Sequence, residues 1–110
     1  MEDVMKDCVF CKIVARQIPA EIVEENDLLC VFKDKFPKAP IHLLIVPKKH
    51  YSDISESDGE VWSQIRETAI KLGREKNLKG FRLVNNAGSA AAVKHMHVHF
   101  LGDVEAAREV

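Results

Sequence analysis

Three of the chain's five histidines occupy alternate positions near its end, in the segment HMHVHF. If this segment is a strand, His95, His97 and His99 project from one face, because successive side chains of a strand point to opposite sides. Imidazole titrates near neutral pH and serves as nucleophile, acid, base or metal ligand. A solvated strand face that happens to carry histidine is the simpler alternative, but packing gives no reason to repeat histidine three times. The spacing therefore predicts a row of imidazoles that performs chemistry, on the face of the sheet that is not the core.

A second group with chemical potential lies near the start of the chain, where Cys8 and Cys11 form a C-x-x-C pair. This spacing supplies half of a tetrahedral zinc site. It also suits two small buried side chains that lie one turn apart on a short helix. The spacing alone leaves both interpretations open. The third cysteine, Cys30, alternates with Phe32 and is expected in the core.

The elements that would position these residues follow from hydrophobic periodicity and turn residues. The segment CVFCKIVARQ predicts a short helix that is halted by Pro19, because proline lacks a backbone donor. Two extended segments flank a turn at Asn26 and Asp27. The segment IHLLIVP, which ends at Pro47, then predicts a buried central strand.

A long helix is predicted after Ser57, whose spacing to Glu60 is that of a capping box. Asn77 marks the expected end of this helix, whose apolar face comprises Val61, Ile65, Ala69 and Leu72. FRLVNN and HMHVHFLG are the last two strands. The sequence thus predicts one α+β domain over residues 1–110, with a five-stranded, mainly antiparallel sheet, one short N-terminal helix and one long helix.

Composition excludes several classes of function. The 110 residues carry a formal net charge of −1 with both signs interspersed, so no surface for nucleic acid is expected. The apolar runs are too short to span a membrane. The first residues lack the apolar segment of a secretory signal, and three cysteines without such a signal do not indicate a disulfide framework. We expect a cytoplasmic protein.

The segment HMHVHFL resembles the signature of the histidine triad (HIT) family of nucleotide hydrolases and transferases, in which histidines alternate with apolar residues. The likeness covers most of the chain and includes, in order, the segments F-x-D-x-x-P, A-P-x-H and P-K-K-H. On these motifs the chain is identified as a member of the family, in its histidine triad nucleotide-binding branch. The resemblance implies an HIT-like fold.

The resemblance also implies a hydrolase mechanism. His97 matches the family's nucleophile, which attacks the α-phosphorus of a nucleotide and forms a nucleotidyl-histidine that water then releases. His99 matches the residue that contacts the phosphate and helps the leaving group depart. Because the related transferases carry glutamine at this third position, His99 favours hydrolysis. The implied substrates are purine nucleoside 5′-phosphoramidates.

A nucleotide site is implied at further positions. Asp34 matches the family's ribose ligand, although on sequence alone it suits the start of a turn. His42 matches a histidine that supports the triad, with a satisfied core histidine as the alternative. Asn86 falls where the family places a polar contact to sugar and phosphate. The apolar slot for the base matches four positions that would otherwise belong to the core, Phe10, Ile13, Phe32 and Leu44.

Zinc is implied by the same resemblance, because some bacterial-type members hold it at matching positions. The ligands would be Cys8, Cys11, His50 and His95, and they would tie the N-terminal helix to the sheet. We expect one structural zinc per chain.

A homodimer is also expected. Family members commonly pair through the long helix and the penultimate strand, here residues 61–76 and 81–85. Trp62 lies on the helix as a candidate interface anchor. Pairing also protects the edges of a five-stranded sheet.

The chain departs from the family just before the triad. Members usually carry Gly-Gln-Ser or Gly-Gln-Thr there, whereas this chain has Ala90, Ala91 and Ala92 in a shorter connection. Methyl groups cannot donate hydrogen bonds to a phosphate, and losing such a donor typically costs about 10²–10³ in rate. Ser89 is a partial substitute if the loop brings it inward. The alternative function is therefore a nucleotide-binding module with little turnover.

Overall fold

The computed structural model describes residues 7–107 of the chain. Its centre is a five-stranded sheet in the order β1-β2-β3-β5-β4, in which every neighbouring pair is antiparallel. The strands are β1 (Ile22–Glu25), β2 (Leu29–Lys33), β3 (Ile41–Pro47), β4 (Phe81–Asn85) and β5 (Val98–Gly102). The helices are α1 (Val9–Val14) and α2 (Gly59–Glu75), with single 3-10 turns at Ile54–Glu56 and Gly88–Ala90. The predicted α+β class and the order of elements are confirmed.

Helix α2 begins one residue away from the predicted cap. The side chain of Asp58 accepts the N–H of Val61 at 3.0 Å, whereas the Ser57 hydroxyl donates to the carbonyl of Ile54 at 2.9 Å. The capping-box prediction is therefore wrong, because Asp58 is an equally good cap and sits where the chain turns into the helix. The end is as predicted. Asn77 adopts a φ of 54°, a left-handed conformation that asparagine tolerates.

Helix α1 ends earlier than predicted, at Val14, and proline is not the cause. Arg16 takes a φ of 63°, and the N–H of Gln17 donates to the carbonyl of Lys12 at 2.8 Å. This pattern of bonds closes the helix with a left-handed residue. Arg16 also pairs with Glu25 on β1, which anchors the turn against the sheet.

One face of the sheet packs against α2. Residues of β2, β3 and β5 that point to this side interlock with the apolar stripe of the helix, and Ile65 and Phe100 are completely buried there. The stripe is the one predicted from the spacing, since Val61, Ile65, Ala69 and Leu72 are all buried.

The opposite face carries a smaller apolar cluster under α1, made of Phe10, Ile13, Cys30, Phe32, Leu44 and Val46. The triad histidines share this face with α1. His95 is 0 % exposed and His97 is 5 % exposed. The prediction that the histidines lie on a face that is not the core is therefore wrong, because the short helix and its cluster cover this side as well.

None of the helices within residues 7–107 combines the length and the apolar character that crossing a bilayer requires.

Candidate active site and metal centre

Two hydrogen bonds hold the backbone around His95 and His97 in place. The N–H of Met96 donates to the carbonyl of Tyr51 at 2.7 Å, and the side-chain amide of Asn85 donates to the carbonyl of His97 at 2.8 Å. Strand β5 begins only at Val98, so His95 and His97 precede the ladder rather than lie within it. Asn85 was missed by the sequence analysis. Only the register, which places Asn85 opposite Val98, identifies it.

The bonds of His97 set its tautomer. Its Nδ1 lies 2.8 Å from the carbonyl oxygen of His95, which can only accept, so Nδ1 carries the proton. In the neutral ring, Nε2 therefore keeps its lone pair. The ring of Phe10 packs edge-on against the His97 ring, with 5.1 Å between the centroids, and restricts its rotation. This is the tautomer that a nucleophilic imidazole requires.

A second series of bonds sets the tautomer of His99. The backbone N–H of Lys38 donates to Nδ1 of His42 at 2.9 Å, so the His42 proton lies on Nε2. This Nε2 is 2.9 Å from Nδ1 of His99, which must accept. The remaining proton of His99 therefore lies on its Nε2.

The surroundings of His99 favour its neutral form. Burial lowers its pKa from the ordinary value of 6.5, and the adjacent His97 and His42 lower it further, while Asp34 acts in the opposite direction. The centroids of the His97 and His99 rings are 5.0 Å apart. The two rings thus present a lone pair and an N–H donor side by side.

Asp34 serves the turn and also approaches the histidines. Its Oδ1 accepts the N–H of Phe36 at 2.7 Å, as the turn interpretation predicts. Its Oδ2 lies 3.4 Å from Nε2 of His42. Asp34, His42 and His99 are close enough to resemble a metal-ligand set. However, His42 has no lone pair to offer, because the N–H of Lys38 occupies Nδ1 and Nε2 carries the proton. The group is therefore a hydrogen-bonded pair of histidines with the Asp34 carboxylate beside it.

An apolar cleft of about 950 Å³ opens beside Asp34. The four residues predicted to form the base slot all line it, and charged residues of the 33–35 segment form its rim. Cavities of this size and character hold small-molecule ligands. Phe10 connects the cleft to the triad, since its ring also packs against Phe32 at a centroid distance of 5.5 Å. Asn86 follows β4 half-buried and does not line this cleft.

Four ligand atoms converge where α1 meets the sheet. Nδ1 of His95 lies 3.2 Å from Sγ of Cys8, 3.5 Å from Sγ of Cys11 and 3.1 Å from Nδ1 of His50. Sγ of Cys11 is 3.3 Å from Nδ1 of His50. A tetrahedral zinc with ordinary Zn–S and Zn–N bonds would separate its ligands by about 3.3–3.8 Å. The donor set and its spacing therefore fit a Cys₂His₂ metal site.

The protonation of His95 also fits a metal. Its Nε2 is 2.8 Å from the carbonyl oxygen of Pro47 and donates to it, so the lone pair on Nδ1 faces the two sulfur atoms. Burial lowers the pKa of His95 to about 4, so the ring is neutral, as a ligand must be. The cysteines are thus not merely small apolar residues. Cys30, in contrast, is completely buried in the apolar cluster, as expected.

The alanine-rich segment before the triad is held by side chains at both ends. Lys94 Nζ donates to the carbonyls of Gly88 at 2.6 Å and Ala91 at 2.7 Å, and Asp53 accepts the N–H of Gly88 at 3.2 Å. Ala91 is buried and Ser89 is exposed. Ser89 therefore does not take an inward position in this arrangement.

A second cavity of about 680 Å³ lies beside this segment, lined by Ala92 and Lys94 among others. Val9 and Val93 line both this cavity and the apolar cleft, so the two compartments share a wall.

Comparison with known proteins identifies the family. The model of the HIT domain matches residues 15–106. The chain belongs to the HIT family. An HIT-like protein of Synechococcus elongatus is 37% identical over 103 residues, which cover 88% of this chain and 90% of that protein.

Two solved structures extend the comparison. The HIT family hydrolase from Clostridium thermocellum is 35% identical with a TM-score of 0.87, covering 96% of this chain and 98% of that one. A zinc-bound histidine triad family protein from Mycobacterium smegmatis is 26% identical with a TM-score of 0.82, covering 93% and 78%. The family resemblance and the HIT-like fold predicted from the sequence are confirmed.

Proposed function

We propose that this HIT protein is a nucleotide hydrolase that cleaves purine nucleoside 5′-phosphoramidates at the α-phosphorus. The observation that carries the proposal is the pair of tautomers, with a lone pair on Nε2 of His97 beside the N–H of His99 Nε2. A nucleophile and a donor to the phosphate are what a two-step displacement needs. Membership of a family that includes hydrolases and nucleotide-binding proteins supports it.

The reaction proceeds in two displacements. Nε2 of His97 forms a bond to phosphorus as the bond to the leaving nitrogen breaks, and the leaving nitrogen keeps the electron pair and takes a proton from water. Because Nδ1 retains its proton on the carbonyl of His95, the His97 ring becomes cationic. The N–H of His99 donates to the phosphate and assists departure of the leaving group. The hydroxide left by that proton transfer then attacks phosphorus as the bond to Nε2 of His97 breaks, which releases the nucleoside monophosphate and restores neutral His97.

The apolar cleft is the proposed site of the nucleoside. The base would lie against Phe10, Ile13, Phe32 and Leu44, and Asp34 would accept the ribose hydroxyls. The cleft places these residues beside the triad through the contact of Phe10 with His97, which supports the assignment. His42 supports His99, and Asn86 remains a proposed contact to sugar and phosphate.

A fluorogenic adenosine 5′-phosphoramidate tests the proposal. His97→Ala should abolish turnover and covalent labelling while leaving adenosine monophosphate binding within roughly tenfold, because it removes the nucleophile alone. His99→Ala is the matched variant on the adjacent ring and should slow turnover but still give a trappable adduct. If His97→Ala hydrolyses the substrate as fast as the wild type, the assignment is wrong.

A binding module with little turnover is the second candidate, and the three alanines before the triad favour it. Ala91 is buried and Ala92 offers only a methyl group, so this stretch has no side-chain donor for a phosphate. Measuring nucleotide binding and phosphoramidate hydrolysis on the same protein distinguishes the hydrolase from the binding module. Micromolar binding of adenosine monophosphate without any hydrolysis of the phosphoramidate would establish the module.

We also propose that Cys8, Cys11, His50 and His95 hold one structural zinc. The convergence of two thiols and two neutral imidazole nitrogens supports this, as does the zinc-bound relative. Zinc would supply a crosslink between α1 and the sheet rather than chemistry, because four protein ligands would leave no open position on the metal. None of the three cysteines is in a disulfide, which suits the reducing cytoplasm that we propose as the protein's location.

A homodimer paired through α2 and β4 is the proposed assembly. β4 is an edge strand, and two of its large apolar side chains remain partly exposed, Phe81 (38 % exposed) and Leu83 (40 % exposed). Leu83→Lys should give a species with the mass of one chain in sedimentation equilibrium. Val23→Lys is the matched control on the opposite edge strand, where Val23 is also 40 % exposed, and should leave the dimer intact. A wild-type protein that sediments as one chain at micromolar concentration would reject the dimer.

A further inference from the structure

Asp34 occupies a junction between the proposed nucleoside cleft and the row of histidine rings. We propose that Asp34 has a second task besides the ribose contact. Through His42 it positions the His99 ring and offsets the positive charge that develops on the triad during nucleotidyl transfer. This inference rests on the proposed function and deepens it by naming a positioning residue of the same site.

The geometry restricts the Asp34 carboxylate to one orientation. Its Oδ1 is held by the N–H of Phe36 at 2.7 Å, so Oδ2 is fixed on the side of His42, 3.4 Å from Nε2. The Asp34 side chain is only 18% exposed, and that of His42 is 3% exposed. Little water is therefore available to screen the interaction.

The N–H on Nε2 of His42 donates to Nδ1 of His99 and also faces the carboxylate of Asp34. Nδ1 of His99 lies 2.9 Å from this nitrogen and Oδ2 of Asp34 lies 3.4 Å from it. The other ring nitrogen of His42 is occupied by the N–H of Lys38, so the ring cannot flip without losing a buried hydrogen bond. His42 is thus held between the carboxylate and the catalytic ring.

Charge develops at the far end of the same row. When Nε2 of His97 bonds to phosphorus, the ring becomes cationic because Nδ1 keeps its proton. The His99 ring lies 5.0 Å from His97, and the His42 ring lies 5.1 Å from His99. Asp34 adds a negative charge to this contiguous set, and its charge already raises the pKa of His99 against the larger effects of burial and the other histidines. A charge that counters a developing cation lowers the barrier itself.

A substrate whose sugar has no hydroxyl groups distinguishes the two tasks of Asp34, because it leaves no ribose contact to lose. A carboxylate that only binds ribose would be irrelevant to 2′,3′-dideoxyadenosine 5′-phosphoramidate. A carboxylate that holds the histidine row would be needed for both substrates. The Asp34→Asn variant keeps an oxygen for the N–H of Phe36 and removes the charge.

The experiment compares kcat and KM of the wild type and Asp34→Asn with the ribo and the dideoxy substrate, each carrying the same leaving amine. We expect Asp34→Asn to lower kcat about tenfold with both substrates, and to raise KM only with the ribo substrate. Asp58→Asn is the matched control, because Asp58 also caps a backbone N–H, at the start of α2, which packs on the other face of the sheet. It should leave kcat unchanged.

An unchanged kcat for Asp34→Asn with the dideoxy substrate would overturn the inference. A second measurement does not depend on turnover. Nitrogen NMR of the imidazole rings should show His99 with its proton on Nε2 in the wild type, and a lower pKa of His99 in Asp34→Asn. If the wild type fails to hydrolyse the ribo substrate, the proposed function fails. In that case an unchanged His99 titration in Asp34→Asn overturns the positioning role, and a lowered pKa of His99 supports it.

Discussion

The two faces of the sheet are built by different means. The face under α2 is an apolar interface, in which a 17-residue helix packs a continuous stripe onto alternate residues of three strands. The face under α1 has a helix of six residues and a smaller apolar cluster, with three histidines of the site buried beside it. Non-directional burial stabilises the first face, whereas directional bonds hold the second.

The difference separates stability from chemistry within one small chain. A six-residue helix has too few internal bonds to persist alone, so α1 depends on its contacts. Those contacts are the sulfur and imidazole groups at its start and the Phe10 ring, which touches His95 and His97. Apolar burial under α2 stabilises the fold as a whole. This free energy offsets the cost of burying the polar imidazole rings under α1 in fixed orientations. Substitutions on the two faces should therefore have separable consequences.

The largest loss of stability should come from the α2 face. Ile65 is completely buried, and Ile65→Ala leaves a cavity, which costs about 2–5 kcal/mol of the free energy of unfolding. The metal content and the KM for the phosphoramidate should stay unchanged, because the histidines and the apolar cleft lie on the other face of the sheet. Urea unfolding monitored by circular dichroism gives the stability. Arg66→Ala, on the exposed side of the same helix, should change it by less than about 0.5 kcal/mol. Loss of zinc in Ile65→Ala would contradict the separation of the two faces.

Removal of the metal should lower the stability less than Ile65→Ala does, but it should affect nucleotide binding more. Cys11→Ala should remove zinc and lower the free energy of unfolding by about 2 kcal/mol, because metal binding free energy contributes to folding. Since α1 carries Phe10, the affinity for adenosine monophosphate should fall in parallel. Metal analysis and calorimetric titration measure the two effects.

Cys30→Ala is the matched control for Cys11→Ala. Cys30 is a buried cysteine on the same face that does not belong to the metal cluster. It should keep about one zinc per chain and normal nucleotide affinity. A zinc content below a tenth of an equivalent in wild-type protein never exposed to chelator would refute the metal proposal. Unchanged affinity in metal-free Cys11→Ala would instead refute the coupling through α1.

The same comparison explains how much was predictable from the sequence. The α2 face follows from apolar periodicity, and Asn77 is a recognisable stop, so strands and helices emerge in the right order. Cap positions are harder, because Ser57 and Asp58 are both good caps and only the path of the chain decides between them. The end of α1 depends on Arg16 in a left-handed conformation, which arginine does not favour.

The sequence predicts which residues form the site, but not their burial or the tautomers of the histidines. Alternation correctly puts the three histidines on one side, yet it could not show that α1 covers them. The tautomers depend on groups that no motif encodes, such as the carbonyls of His95 and Pro47 and the N–H of Lys38. Asn85 and Asn86 are adjacent, and the strand register alone shows that Asn85 reaches the His97 carbonyl.

The smallest effect should come from the alanine-rich loop that connects β4 to the triad. Ala91→Gln combined with Ala92→Ser should raise kcat by up to about tenfold, because it returns side-chain donors near the phosphate. Ala91 is buried, so the longer glutamine should also lower the stability by about 1 kcal/mol. Ala92 lines the cavity beside the metal centre and has room for a hydroxyl.

Two controls decide how the loop acts. Ala90→Ser places a hydroxyl on the exposed side of the same turn and should leave kcat unchanged. Lys94→Met removes the two bonds that close the loop onto Gly88 and Ala91, and should reduce the gain of the double variant, since the new side chains would no longer be held in place. Single-turnover rates with the fluorogenic substrate measure each step. If the double variant folds, binds adenosine monophosphate normally and turns over no faster than the wild type, then the loop does not face the phosphate. The lack of hydrogen-bond donors among Ala90, Ala91 and Ala92 would then not limit kcat.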